Sequence, residues 1–276
     1  MVSQLGADRV IPRANLAAWR IELAPFKYFE MGFTRAFQFG GEGRQSPNFG
    51  QFLGLLFSEG NTSDPNSATN VNNVLSLDFT IRWPDAGRYL FVMRDMSLYG
   101  ELGWDDTQDP GISAGPIPTG AIIPRKPGFL LGTFMAGFLG DPYLDFRFEY
   151  AKTTEIQFTN SIYASGWTHE GQYLSHFIGR DGWEFFARLT RWMTPDLKLG
   201  GQISIAQIGN SDATASNQSL MRRNAFALDM TYRLATASSL FVGFEYADVN
   251  NAGFKAGKSA QDVGFRVQFT RSFEDF

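Results

Sequence analysis

Apolar and polar residues alternate along this chain in segment after segment. In VLSLDFTIRW, Leu75, Leu77, Phe79, Ile81 and Trp83 fall on one side of an extended backbone, and Ser76, Asp78, Thr80 and Arg82 on the other. Successive side chains of a strand point to opposite faces, so the run predicts a strand with one apolar and one polar face. YLDFRFEYAKT repeats it, with Leu144, Phe146, Phe148 and Tyr150 opposite Asp145, Arg147 and Glu149. FALDMTYRL (Phe226 to Leu234), LFVGFEY (Leu240 to Tyr246) and DVGFRVQFT (Asp262 to Thr270) follow the same rule, and WRIEL and LKLGGQISI do so more briefly. About eleven strands are predicted, centred near residues 20, 33, 78, 96, 134, 147, 188, 203, 228, 243 and 266.

The connections between these strands alternate in length. Short ones are expected at Pro25-Phe26, Pro84 to Gly87, Gly140-Asp141, Thr194 to Asp196 and Thr236 to Ser239. Long ones are expected at Gly40 to Val71, Asp105 to Pro127, Thr154 to Asp181, Gly209 to Ser219 and Asn250 to Ala260. A soluble sandwich has no reason to trim one end only, whereas outer-membrane barrels combine short periplasmic turns with long outer loops. The apolar faces are rich in Phe, and Trp19, Trp83, Trp183, Trp192 and Tyr232 stand near strand ends, where interfacial aromatic girdles belong. The polar faces mix both signs (Arg20 and Glu22, Arg147 and Glu149, Glu184 and Arg188), as a polar lumen would. The expected fold is therefore an all-β, antiparallel outer-membrane β-barrel meander, forming one domain over residues 1–276 and resident in the bacterial outer membrane.

Composition removes most other classes. The longest apolar-like stretch, GFLLGTFMAGFLG, is too short and too Gly-rich to cross a bilayer as a helix. Aromatic residues make up 15% of the chain and charged residues 19%, below the ~25% of an average soluble domain. A formal charge of −4 argues against a nucleic-acid partner. There is no Cys, which excludes disulfides and thiolate chemistry, and with only His169 and His176 no metal site or cofactor is expected.

Some positions break the pattern. Arg35 and Arg94 fall on otherwise apolar faces and are expected either near the headgroups or at bulges. Val263 to Phe269 are in odd register while the terminal Phe276 is even, so a bulge or bend is expected near Arg271. With eleven strands the first and last run in the same direction, so Leu16 to Ala24 and Val263 to Thr270 should be unpaired or paired in parallel. A strand overlooked in this reading would fall at Phe49 to Phe57. An N-terminally truncated piece of a larger barrel is the expectation, with an odd barrel closed by a parallel pair as the alternative.

Several segments together resemble the Wzi family of capsule-assembly outer-membrane proteins. They are RIELAPFKYFEMGFTRAFQFGGEGR (Arg20 to Arg44), NVNNVLSLDFTIRWP (Asn70 to Pro84), SLYGELGWDD (Ser97 to Asp106) and Phe146 to Gly182. The FGGEGR element and the succession EYA…YxSGWxxxGxxLxH are the specific parts. The resemblance implies a barrel of about eighteen strands preceded by a small periplasmic helical bundle. It also implies a lectin that holds capsular or exopolysaccharide at the cell surface. The partners it implies are polysaccharide and outer-membrane lipid, and the protein is expected to be a monomer. The alternative is a porin-like channel, whose selectivity would be set by Asp145, Arg147, Glu149, Arg188, Asp229 and Arg233.

The segment Thr154 to Asp181 interleaves aromatic and polar groups: Tyr163, Trp167, His169, Glu170, Tyr173, His176 and Arg180. Flat aromatic faces suit the C–H faces of pyranose rings, and planar donors and acceptors suit their hydroxyls. Tyr163, Trp167, His169, Glu170, Tyr173 and Arg180, with Glu42 and Arg44 of the FGGEGR turn, are the candidate ligand residues. The competing reading is that the aromatics pack this loop into the barrel mouth and that Gly40, Gly41 and Gly43 serve a tight turn. A triad from either His with Ser165 or Ser175 and Glu170 or Asp181 can be drawn on paper, but neither a GxSxG elbow nor spatial evidence supports one, so no catalysis is expected.

Overall fold

The structure is a computed structural model that describes residues 14–57, 62, 64, 66–90, 92–105, 127–154, 157–158, 162–163, 166–169, 172–209 and 219–272. Eleven strands form one sheet: β1 (Asn15–Phe26), β2 (Phe29–Phe39), β3 (Asn72–Trp83), β4 (Asp95–Asp105), β5 (Gly128–Ala136), β6 (Leu144–Lys152), β9 (Trp183–Trp192), β10 (Leu197–Ile208), β11 (Met221–Ala235), β12 (Ser238–Asn250) and β13 (Ser259–Arg271). A separate two-residue ribbon, β7 (Thr168–His169) with β8 (Gln172–Tyr173), lies between β6 and β9. Each long strand pairs antiparallel with its predecessor in the meander, and every predicted strand centre falls within a strand.

The register puts the predicted polar set on one face. Arg20 of β1 reaches across Gly32 of β2 to Asp78 of β3, donating at 2.5 and 2.9 Å and to the Thr34 hydroxyl at 3.0 Å. A side chain at Gly32 would occupy the volume of that guanidinium. Further along the same face, the Tyr99 hydroxyl donates to Glu149 at 2.6 Å, and Arg147 pairs with the same carboxylate. Arg188 bridges Gln202 at 2.8 Å and Asp229 at 2.7 Å, and Arg223 pairs with Glu245. These charges satisfy one another across neighbouring strands. The opposite face is apolar and open: Val263, Phe265, Val267 and Phe269 are each more than half exposed, as are Ile21, Leu23, Ile203 and Leu228.

The five connections expected to be long leave one end of the sheet and the other five leave the opposite end, but the lengths overlap: the β3–β4 connection (84–94) is longer than the β12–β13 connection (251–258). The short connections differ in detail. β1 continues through Pro25 and Phe26, and the turn falls at Lys27-Tyr28; the pairing shifts between Leu23 and Phe26, where a residue without an N–H does least harm on an edge strand. The Pro84–Gly87 turn extends to residue 94 and holds a helical turn, α2 (Gly87–Leu90), whose Tyr89 ring lies 5.9 Å from Trp83. Arg94 belongs to this connection, not to a strand, and donates to Asp95 at 2.7 Å.

Other expectations change as well. Phe49 to Phe57 is no strand: α1 (Phe49–Leu56) forms there, started by a capping box in which Asn48 and Gln51 exchange hydrogen bonds of 2.9 Å. FGQFLGLL has no β-branched residue and no alternation, so a strand gains nothing from it. Trp192 lies on the polar face, with Lys198 and Arg233 over its ring at 5.5 and 5.9 Å, and takes no part in an outward girdle. β12 and β13 pair without interruption from Ser259 to Arg271, so no bulge lies within the described strand; residues 273–276, which would show a bend before Phe276, lie outside the described residues. Arg35 sits in unbroken register on the apolar face, and it is covered by neighbouring chain, not bulged out. Among the described residues β1 and β13 pair only with β2 and β12, and they run in the same direction.

Candidate functional site

The long-connection end is built around the segment joining β6 to β9. Its base is closed by Thr153 and Gly182, whose backbones bond at 2.9 Å while the Thr153 hydroxyl accepts from the Gly182 N–H, also at 2.9 Å. From there the segment folds inward over the polar face, where it is fastened at several points. Gln157 donates to the Gly103 carbonyl of β4 at 2.7 Å and accepts from the Thr154 N–H at 2.9 Å. It lies against Gly128, where any side chain would overlap it. Gln38 of β2 donates to the Gly166 carbonyl at 3.2 Å and is itself held by Asn72 of β3 at 2.9 Å. On the far side His176 Nε2 lies 3.3 Å from Glu184 of β9, while Ser204 of β10 donates to the other oxygen of that carboxylate.

His176 Nδ1 accepts from the Ile178 N–H at 3.4 Å, which leaves Nε2 to carry the proton towards Glu184. In a hydrolytic triad the imidazole touches the hydroxyl nucleophile. Here the carboxylate stands between His176 and Ser204, and the Ser175 hydroxyl turns to the His176 carbonyl at 3.5 Å. The arrangement fastens a loop; it does not activate a serine. No cluster of potential metal ligands occurs among the described residues.

The predicted ligand residues separate into groups. Tyr163 and Trp167 are buried, at 3% and 5% exposure. The Tyr163 hydroxyl donates to the Gly40 carbonyl at 3.2 Å, and the Arg44 guanidinium lies 5.6 Å from the ring centre. Burial pushes the Tyr163 phenol up, so it remains a donor across the ordinary pH range. Arg44 also donates to the carbonyls of Ser67 and Asn70 at 2.9 and 3.2 Å. Gly40, Gly41 and Gly43 all have positive φ, as expected of a tight turn, and Glu42 is exposed upon it. Arg180 is half-buried near the base of the inward loop. The β7–β8 ribbon carries His169 and Tyr173, and Glu170 lies outside the described residues. Arg44 and Tyr163 thus come together at the turn that carries Glu42, and the buried rings of Tyr163 and Trp167 pack within the loop.

Beneath the loop lies a cavity of about 530 Å³. Thr34, Ser76, Glu101 and Ala151 of the polar face form its walls, and Trp167, Phe158 and His176 close it from above. The Trp167 indole N–H is buried without a hydrogen-bond partner. Gln38, Gln157, Glu184 and Ser204 were not foreseen as site residues; Gln38, Glu184 and Ser204 sit inside strands, where polarity alone marks a lumen position, and Gln157 lies in a connection without periodicity.

A model of the family described as capsule assembly protein Wzi matches residues 1–263. The chain belongs to this family. It is therefore a capsule-assembly protein of the bacterial outer membrane, and its meander is that of an outer-membrane β-barrel. Among solved structures it is similar to a loop L8 deletion mutant of OmpT, an outer membrane protein of Vibrio cholerae, at 11% identity over 92% of this chain and 78% of that one, with a TM-score of 0.35. In-vitro folded OmpT of Vibrio cholerae is similar at 11% identity over 93% and 73%, with a TM-score of 0.34. No curated relative matches at a significant level.

Proposed function

We propose that the protein is a lectin-like member of the family that binds capsular or exopolysaccharide and retains it at the cell surface, without transforming it. The observation that carries this reading is the inward fold of the β6–β9 connection, fastened to β2, β4 and β9 over a cavity of about 530 Å³. That volume is in the usual range of small-ligand sites, about 300–1,000 Å³. The cavity offers one terminal sugar unit an aromatic wall, an unpartnered indole N–H and the hydroxyls of Thr34 and Ser76. We assign the following units to the residues predicted from the sequence: Glu42, Arg44 and Arg180, with His169, Glu170 and Tyr173 of the β6–β9 connection. The porin-like alternative gains little from the polar face, because Arg147, Glu149, Arg188 and Asp229 are engaged with one another.

Affinity for a short oligosaccharide of the host's own polysaccharide, measured on the full-length protein, tests the reading. Trp167→Ala should weaken it roughly ten- to hundredfold, by analogy with the loss of one base-stacking ring at about 1–3 kcal/mol. A short ligand is needed because repeated contacts along a polymer mask the loss through avidity. Resistance of the folded band to heating on gels should be unchanged. Unaltered affinity in Trp167→Ala would return that residue to packing alone, and steady open-channel steps of the wild-type protein in planar bilayers would favour the porin reading.

A further inference from the structure

The helix α1 lies in the β2–β3 connection, yet it packs on the apolar face of the sheet. Phe37, Leu55 and Val71 form a closed cluster there, and the Phe52 ring lies 6.1 Å from Phe37 and 5.5 Å from Phe39. The Trp19 indole donates to the Leu56 carbonyl at 2.8 Å, tying the last turn to β1. Trp19, Phe37 and Phe39 share their face with Ile21, Leu23, Phe33 and the rest of the outward apolar band. Arg35 belongs to this face too: it is 2% exposed and donates to Asn73 at 2.7 Å under the covering chain.

The side of α1 turned away from the sheet is also apolar. Phe49, Leu53 and the C-cap Phe57 recur at i, i+4 and i+8, which places them in one stripe, and they are 78%, 43% and 75% exposed. The helix has no charged residue, and its one polar side chain, Gln51, is consumed in the capping box. A surface helix in water carries a polar outer side. This one is suited to hydrocarbon on both sides, with the N–H groups of its first turn partly satisfied by the cap. The strand row that it covers, Trp19 paired with Arg35, lies two residues from the row of Ile21 paired with Phe33, about 7 Å along the strand. The exposed stripe therefore continues the band that an outer-membrane barrel turns to lipid.

We propose that α1 is a lipid anchor: Phe49, Leu53 and Phe57 insert among the acyl chains of the outer leaflet at the rim of the barrel. The anchor holds the β2–β3 connection at the membrane surface, and with it the turn that carries Glu42 and Arg44. It also keeps the Arg35–Asn73 pair away from hydrocarbon.

The absence of cysteine makes the test direct. The full-length protein carrying Leu53→Cys or, separately, Phe57→Cys is labelled with a polarity-sensitive fluorophore and reconstituted into phosphatidylcholine vesicles. Emission from both positions should be blue-shifted and should lose most of its intensity when the lipid is brominated near the headgroup end of its chains. Asn66→Cys, exposed on the same connection, should emit as in water and ignore the bromine. Only protein whose folded band resists heating is compared. Water-like emission from both helix positions overturns the proposal. So does blue-shifted emission indifferent to brominated lipid, accompanied by disulfide-linked dimers of unlabelled Leu53→Cys, since a second copy would then cover the stripe.

Discussion

Tyr163 shows how a residue chosen for ligand chemistry can serve the loop instead. Its ring is buried, its hydroxyl reaches the Gly40 carbonyl, and its backbone carbonyl accepts from the Gly166 N–H at 2.7 Å. Tyr163→Phe deletes the bond to Gly40 and leaves that carbonyl without the hydroxyl. A hydrogen bond of this kind contributes about 1 kcal/mol, so opening of the segment should become roughly fivefold more frequent. Hydrogen exchange at the Gly166 amide reads this directly, and an unchanged rate would show that the hydroxyl does not secure the loop. An aromatic in a polar loop was visible in the sequence, but the burial that takes its face away from outside ligands depends on Gly40, far away along the chain.

At the scale of the element, the inward loop depends on a glycine outside it. Gly128 begins β5 on the polar face, and the space where its side chain would be is filled by Gln157. Gly128→Val should expel Gln157, removing its bonds to Gly103 and Thr154 together while leaving the strand pairing of β4 and β5 in place. Two such bonds amount to about 1–3 kcal/mol, enough to shift the local opening of a loop without unfolding a barrel. Trypsin added to the folded variant should then cut at Arg180 faster than in the wild type, with the heat-resistant band retained until cleavage. Equal cutting rates would mean that other fastenings, His176 to Glu184 foremost, suffice alone. α1 teaches the complementary lesson, because a run of apolar residues without alternation became a helix as soon as Asn48 and Gln51 could cap it.

Across the whole molecule the asymmetry of connection lengths gives the orientation. Lys255 lies exposed in a long connection and Ala237 in a two-residue turn at the opposite end of the sheet. On intact cells, Lys255→Cys should react with a membrane-impermeant maleimide, whereas Ala237→Cys should react only after the outer membrane is permeabilised. The reverse labelling would invert the barrel and move the inward loop to the periplasmic side. Parity enters at this scale as well. β1 and β13 run in the same direction, so antiparallel pairing across the gap between them requires an odd number of intervening strands.

Residue order alone dictates the periodic part of the fold. Side chains alternate with a period of two whatever a strand pairs with, so strand positions, the division into a polar and an apolar face, and the end carrying the long connections could all be read from residue order. The FGGEGR turn was legible for a similar reason, since positive φ is a local demand that glycine meets. Tertiary structure alone decided where the connections go. Glu184 and Ser204 read as ordinary lumen residues until His176 is brought against them. Arg35 reads as a headgroup or bulge position on an apolar face until α1 and its flanking chain cover that face and Asn73 meets its guanidinium. Trp167 reads as an outward-facing platform until its burial, with backbone bonds to Phe158 and Leu174, sets it over the cavity beneath the loop. In each case the deciding partner is distant in sequence or lies in a segment without periodicity, and its contact depends on the packing of a loop, which no local pattern encodes.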